Sequence, residues 1–477
     1  MNILTGREDE KEVLKDLLRS EKPELLAIYG RRRVGKTFLI KTFYQEHIVF
    51  SCTGEYKADT ATQLANFKEK LALWFPRKVQ ADAPQTWQQA FILLRDMLRS
   101  IKSRKKKVVF FDELPWMDSH KSGFLSAFGY FWNAYAADIP GIIVVVCGSA
   151  TSWIIDKIVN DKGGLHNRIT RRIRLLPFSL KETEQFLLSK NIQYSRYELL
   201  QLYMVMGGIP AYLNEVKRGK SVAQNIQSIC FSKDGVLAGE FNNLYAALFK
   251  YPDRHIQVIS ALAKNNKGLT RTKLLSAGKL LSGGTLTKTL TELTESGFVE
   301  KTYPFDKKEK ESLYRLIDEF SLFYFRFIHH QKSRLKDQWL TRQATPHYQS
   351  WCGYAFENIC IKHIGQIKRA LQIGAVQTGV SSWVFAGNRT EKGVQIDLLI
   401  DRADHIINIC EVKYSNKKFI IDKRYAGELK AKKEVFHMRS KSNKTIHLTM
   451  ITTYGVKDND YKMQLADSEV QMEDLFR

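Results

Sequence analysis

LLAIYGRRRVGKTFLIKTFYQ, residues 25–45, is the stretch whose reading decides the fold. LLAIY is apolar and short, as a buried strand is, and TFLIKTFYQ has the apolar spacing of a helix. Between them GRRRVGKT fits the pattern G-x-x-x-x-G-K-[ST], and a strand before the loop with a helix after it is the setting that gives this pattern meaning. Gly30 and Gly35 let the chain curl. The backbone N–H groups of Arg31, Arg32, Arg33 and Val34 can then face phosphate oxygens, beside the positive end of the following helix. Lys36 would reach the β and γ phosphates, and the Thr37 hydroxyl would coordinate Mg²⁺. Phe38 closes the set on the helix. ATP or GTP binding follows.

Working outward, VVFFDE (108–113) is a second buried strand that carries Asp112 and Glu113 to its C-terminal edge, where ligands bind open α/β sheets. Asp112 would hold Mg²⁺ and Glu113 would polarise water. A third apolar run, IIVVVC (142–147), leads to Gly148 and Ser149. If its strand lies beside the loop strand, Ser149 is near the γ-phosphate; otherwise it is a plain turn serine. Trp87, Ala90, Phe91, Leu94, Leu98 and Ile101 keep helical spacing between the first two runs, and SRKKK (103–107) reads as a solvated helix end. Alternating strands and helices make residues 1–180 a parallel α/β core.

The 477 residues suffice for about three domains. With 74 Lys and Arg against 50 Asp and Glu, the net charge of +24 favours a polyanionic partner. No apolar run is long enough to cross a bilayer. The start, MNILTGREDEKEVLK, lacks the apolar region of a signal peptide, so the expected location is cytoplasmic, with no membrane partner. Six scattered cysteines have no zinc spacing and read as structural thiols.

Residues 181–250 read as a helical lid, broken at GGIP (207–210). Residues 251–335 give HIQVISALAKN, LTRTKLLSAG and GTLTKTLTELTESG as three short helices, then FVEKTYPF and SLYRLID as a hairpin: the order of a winged helix. Thr285, Thr287, Lys288 and Thr291 on its last helix suit a nucleic-acid groove, although winged helices also serve as packing modules. FSLFYFRFI (320–328) reads as core. His329 and His330 read as incidental.

In the last segment, 345–477, QIDLLID (395–401), a turn at RADH and IINICEVKYS (406–415) form a hairpin pattern. Glu411 and Lys413, two apart, share a face, with Asp397 on the other strand. Two carboxylates on one cation with a lysine beside the attacking water is what metal-assisted phosphodiester cleavage needs. A surface ion pair on a hairpin is the simpler alternative. Between 415 and 445 there are ten Lys/Arg against three Asp/Glu, a composition suited to a phosphate backbone.

GREDE (6–10), GRRRVGKT, FFDE, CGSATSW (147–153), LLPFSL (175–180) and GGIP resemble the archaeal-type AAA/STAND P-loop ATPases over roughly residues 1–240. The resemblance implies that Gly6, Arg7 and Glu8 lie by the nucleotide base, that Gly208 and Pro210 touch it from the lid, and that Arg168, Arg171 or Arg172 senses the γ-phosphate. The C-terminal hairpin resembles the PD-(D/E)xK nuclease fold, with Glu357 in YAFENICIKHI in the role of the upstream helical acid and Ile396 in place of the proline. The whole arrangement resembles ATPases that carry a DUF234 domain. The expected fold is α/β: a P-loop NTPase parallel sheet with helical lid, a winged helix, and an α/β restriction-endonuclease-like domain.

The expected function is an ATP-hydrolysing switch with Mg²⁺, coupled to nucleic acid, DNA before RNA, and to strand cleavage. The other reading is a signalling or scaffold ATPase that forms homo-oligomers and whose nuclease-like domain binds a partner without cutting.

Overall fold

The computed structural model describes residues 4–76, 82–103, 105–149, 151–159, 164–165, 167–265, 267–278, 283–307, 311–329, 338–343, 345–387 and 393–477. Arg104 of SRKKK, Ala150 of CGSATSW, His330 and positions 331–335 of the segment read as a winged helix lie outside them. The chain forms two compact units, residues 1–177 with 248–250, and residues 178–247 with 251–477.

In the first unit, α1 (Glu8–Arg19) leads to β1 (Glu24–Tyr29), the loop and α2 (Lys36–Phe43); β2 (Ile48–Thr53), α3 (Thr60–Trp74), α4 (Trp87–Arg99), β3 (Lys107–Asp112), α5 (Phe124–Ala134), β4 (Ile142–Gly148) and β5 (Arg171–Arg174) follow. The strands pair in parallel in the order β2-β3-β4-β1-β5. β4 is buried along its whole length, which is why IIVVVC has no polar alternation. On one face Trp87, Phe91, Phe111, Phe124, Phe128 and Phe131 make one aromatic core. Each such side chain removed from water contributes about 1.5–3 kcal/mol. Thr86 starts α4 by accepting from Gln89 N–H, and the helix stops at Arg99. Ile101 therefore lies beyond the helix that its spacing suggested, though it still packs on the core.

The second unit begins with α6 (Leu180–Ser189), α7 (Arg196–Met206) and α8 (Pro210–Leu213). Ser179 with Glu182, and Ser195 with Glu198, form reciprocal caps at the starts of α6 and α7. Gly207 ends α7 at φ 62, and Pro210 opens α8 at a position that needs no N–H. Next come α9 (Pro252–Ala263), β6 (Leu269–Thr270), α10 (Arg271–Gly278), α11 (Gly284–Glu295), β7 (Val299–Thr302) and β8 (Leu313–Leu316), whose strands pair antiparallel in the order β6-β8-β7. On α11 the side chains of Leu286, Thr289, Leu290 and Leu293 are buried, whereas Thr285, Thr287, Lys288 and Thr291 are exposed.

α12 (Glu319–Phe323) then runs into the FSLFYFRFI segment, where Phe320, Phe323 and Phe327 are buried and Tyr324 stacks on Phe241 at 4.0 Å between ring centroids. The segment is packed core. After α13 (Pro346–Lys362) a mixed sheet is built from β9 (Thr378–Phe385), β10 (Val394–Arg402), β11 (Ile406–Lys413), β12 (Thr445–Thr452) and β13 (Ser468–Gln471), in the order β13-β12-β11-β10-β9, with α14 (Lys423–Ser440) packed on it.

The segments 181–247, 251–329 and 345–477 share this unit through specific contacts. The buried His363 ring accepts the Leu180 N–H at 3.1 Å and lies on Ile359 O at 2.8 Å. Tyr197 of α7 stacks on Tyr414, and Phe305 N–H donates to Ser382 O at 2.8 Å.

Candidate functional site

The loop after β1 has the conformation its glycines demand. Gly30 sits at φ 145, and a Cβ there would lie 2.3 Å from Leu175 O; Gly35 sits at φ 92 and starts α2. Lys36 is buried and donates to Gly30 O at 2.9 Å and Arg31 O at 3.0 Å, so its ammonium is folded into the loop that it would share with phosphates. The Thr37 hydroxyl lies 2.9 Å and 3.1 Å from the two Asp112 carboxylate oxygens. Two residues distant in sequence, both read as Mg²⁺ ligands, are therefore side by side. Val34 and Arg31 are buried, while Arg32, Arg33 and Phe38 are exposed.

Glu113 follows Asp112 in the left-handed region, φ 46, an uncommon conformation that turns its side chain away from the strand. Its carboxylate accepts the Ser149 N–H at 3.1 Å and the Ser149 hydroxyl at 2.8 Å and 3.0 Å. β4 does lie beside β1, as the reading of Ser149 required, but the serine also has a partner that the reading lacked. Gly6 and Arg7 are in left-handed turns at φ 67 and φ 64, and the buried Arg7 guanidinium donates to Val34 O at 3.1 Å. Arg7 thus braces the loop. Glu8 is exposed and pairs with Lys11.

The register of the arginine-rich strand separates its arginines. In β5, Arg171 and Arg172 register with Leu26 and Ala27, well before the loop, and Arg171 donates to Thr170 O at 2.9 Å. Arg174 registers with Tyr29, next to Gly30. It is the arginine of RITRRIR whose register lies closest to the loop, which RITRRIR alone does not reveal. Arg168 precedes the strand and is exposed. Gly208 and Pro210 belong to the second unit. Gly208 is at φ 67 with its carbonyl accepting Phe178 N–H at 2.8 Å, and a Cβ there would meet Phe178 O at 2.1 Å.

At the C-terminal hairpin, Asp397 and Glu411 are cross-strand neighbours, one step beyond the paired Leu398 and Cys410. The register of β10 against β9 shifts between Ile396 and Leu399, a β-bulge or irregularity that includes Asp397. Glu411 is nearly enclosed. Tyr425 OH donates to its Oε1 at 2.5 Å, Lys413 Nζ stands 3.1 Å from the same oxygen, and Lys432 Nζ donates to Oε2 at 2.5 Å. Burial alone would raise its pKa, but Lys432 and Lys413, with the bonds from Lys432 and Tyr425, hold it below the ordinary value. Glu357 on α13 is pushed the other way, up to about 7, first by burial and then by Asp397, against the pull of Arg315, which donates to it at 3.3 Å from β8. Gln395 donates to Asp397, and its own Oε1 is buried with no hydrogen-bond partner among the described residues.

No group of three or more His, Cys, Asp or Glu side chains is close enough to share a metal ion among the described residues. A divalent cation would rest on Asp397 and Glu411, with water completing its shell. Carboxylates on neighbouring strands beside an orphaned amide oxygen form a hard-oxygen donor set that fits such an ion. Tyr425, Lys432, Gln395 and Arg315 were missed in the sequence. Lys432 was counted only as part of a basic run, and three of that run's cations are used inside the fold: Lys432 on Glu411, Lys433 on Asp467 and Lys444 on Asp401.

A five-stranded parallel sheet whose first strand feeds this loop, with an acidic strand separated from it by one other, is the fold of the P-loop NTPases. Residues 4–216 match the family described as an ATPase domain predominantly from Archaea, and residues 324–428 match DUF234, archaeal and bacterial proteins of unknown function. The chain is thus similar to an archaeal-type ATPase domain in its N-terminal part and to DUF234 in its C-terminal part. An uncharacterized protein of Methanocaldococcus jannaschii is 25% identical over 427 residues, 87% of this chain and 88% of the relative. A Walker-type ATPase of Pyrococcus abyssi has a similar structure, with a TM-score of 0.52 and 18% identity over 68% of this chain and 96% of that one. A STAND protein of Pyrococcus horikoshii with a tetratricopeptide repeat sensor follows at a TM-score of 0.31 and 16% identity, over 79% and 52%. No helix among the described residues is long and apolar enough to cross a membrane.

Proposed function

We propose that the chain binds and hydrolyses ATP at the loop and uses its nucleotide state to change how its second unit engages nucleic acid. The observation that supports this reading is the Thr37 hydroxyl 2.9 Å from Asp112, with Lys36 donating to Gly30 O inside the loop. Thr37 and Asp112 would hold Mg²⁺, which neutralises phosphate charge when bound. Glu113, once released from Ser149, accepts the proton of the attacking water, and Arg174 stabilises charge on the transferring phosphoryl group. Gly208 and Pro210 take the lid role given by the resemblance, and homo-oligomerisation would add residues from a second copy.

The segment α9–β6–α10–α11–β7–β8 acts as a winged helix that lays the exposed Thr285, Thr287, Lys288 and Thr291 on nucleic acid, DNA in the first instance. Asp397 and Glu411 would hold a divalent cation, which would neutralise phosphate charge when bound, and Lys413 orients the water that attacks a phosphodiester. A second reading, a module that binds a partner without cutting, is favoured by one observation: Glu411 is already saturated by Tyr425, Lys413 and Lys432. Incubation of the chain with plasmid and single-stranded nucleic acid in Mg²⁺ or Mn²⁺, with and without ATP, tests both. Cleavage lost in Lys413→Ala supports the nuclease. Intact ATPase activity with no cleavage by any form supports the partner-binding module.

A further inference from the structure

The saturation of Glu411 has its own logic. Tyr425 and Lys432 are seven residues apart on α14, two turns along one face, so one helix delivers both donors to the same carboxylate. They differ in kind. Tyr425 is a short, rigid donor beneath Lys413, whose ammonium lies 4.8 Å from its ring centroid, and it fixes Oε1. Lys432 is a long side chain on four rotatable carbons, 21% exposed, and it holds Oε2. A divalent cation needs an ionised carboxylate oxygen that it can reach. Here Oε1 is committed to two donors and Oε2 to one that can swing into water.

We propose that Lys432 is the resident counter-ion of this site: it holds Glu411 in place through Oε2, and a divalent cation must displace it from that oxygen to bind. The inference rests on the reading of Asp397 and Glu411 as a metal site. It makes Lys432 a positioning residue that sets a threshold for loading. The threshold falls when an anion such as a backbone phosphate draws the ammonium away from Oε2, so metal and polyanion raise one another's affinity through this side chain.

The test is a Mn²⁺ titration of the nucleotide-free full chain, read by electron paramagnetic resonance of free Mn²⁺, with Asp397→Asn marking the binding event that belongs to this site. Lys432→Ala is expected to bind Mn²⁺ at least about tenfold more tightly than the wild type, since a unit positive charge at contact distance is removed. Lys432→Arg is expected to keep the wild-type affinity, as is Lys433→Ala, whose lysine pairs with Asp467 instead. Lys432→Gln keeps a donor on Oε2 without the charge and reads the same competition should Lys432→Ala not fold. Affinity unchanged or weakened in both neutral variants, with the Asp397-dependent event present, would overturn the role of Lys432. No Asp397-dependent binding in any form would overturn the metal reading itself, and the inference with it.

Discussion

At the residue scale the account turns on single side chains whose surroundings set their chemistry. Arg174 is expected to matter where Arg171 does not: Arg174→Ala should lower the kcat of ATP hydrolysis by about 10²-fold or more, and Arg171→Ala should leave it within about twofold, as steady-state phosphate release would read. Glu357 gives a pH signature. Its ordinary value of 4.5 rises to about 7 in the fold, so between those values the folded chain holds a proton that the unfolded chain has released. Stability therefore falls as pH rises through that window. The buried, neutral His363, lowered to about 4, acts in the opposite sense, since its unfolded form takes up a proton below about 6.5. A comparison of variant and wild type cancels His363: Glu357→Gln should gain stability relative to the wild type from pH 5 to pH 8 by roughly 2–3 kcal/mol, measured by urea unfolding at each pH. A difference that stays flat would mean that Glu357 is ionised throughout. Of these residues, Lys36, Thr37, Asp112, Asp397, Glu411 and Glu357 were legible because their motifs tie residue type to spacing. Arg174, Gln395 and Lys432 were not, since each acquires its role from a strand register or a helix face that only the folded chain defines.

At the scale of elements, the strand–loop–helix at 24–43 was legible because the glycines, the apolar run and the helical period all agree. The two glycines are not equivalent. Gly30→Ala would drive a Cβ to 2.3 Å from Leu175 O at φ 145, whereas Gly35→Ala meets nothing within 4 Å and suffers only its φ of 92. Gly30→Ala is expected to lower the thermal midpoint more and to abolish binding of a fluorescent ATP analogue, with Gly35→Ala retaining more of both. Equal losses would mean that the loop moves away from Leu175. The apolar run IIVVVC was also legible as a buried strand. The bulge at Asp397 was not, because an extra residue in a strand leaves no mark in an apolar pattern when its partner strand, β9, is recognised only in the sheet.

At the scale of the whole molecule, the α/β class follows from the sequence. The shared second unit does not, because the contacts that make it, His363 to Leu180 and Tyr197 to Tyr414, join residues far apart in the chain. The net charge of +24 is the one global property with a direct readout. Nucleic-acid affinity is expected to fall linearly in log–log form with salt, and each exposed cation of α14 that touches a phosphate, such as Lys423 or Lys430, should reduce the slope by about one when changed to Ala. A binding constant insensitive to salt would favour an apolar protein partner instead. The central claim is ATP hydrolysis at the loop, and the most direct measurement follows binding and phosphate release together for the wild type, Lys36→Ala and Glu113→Gln. The account predicts binding with turnover, no binding, and binding without turnover, respectively. Equal turnover in all three would contradict it.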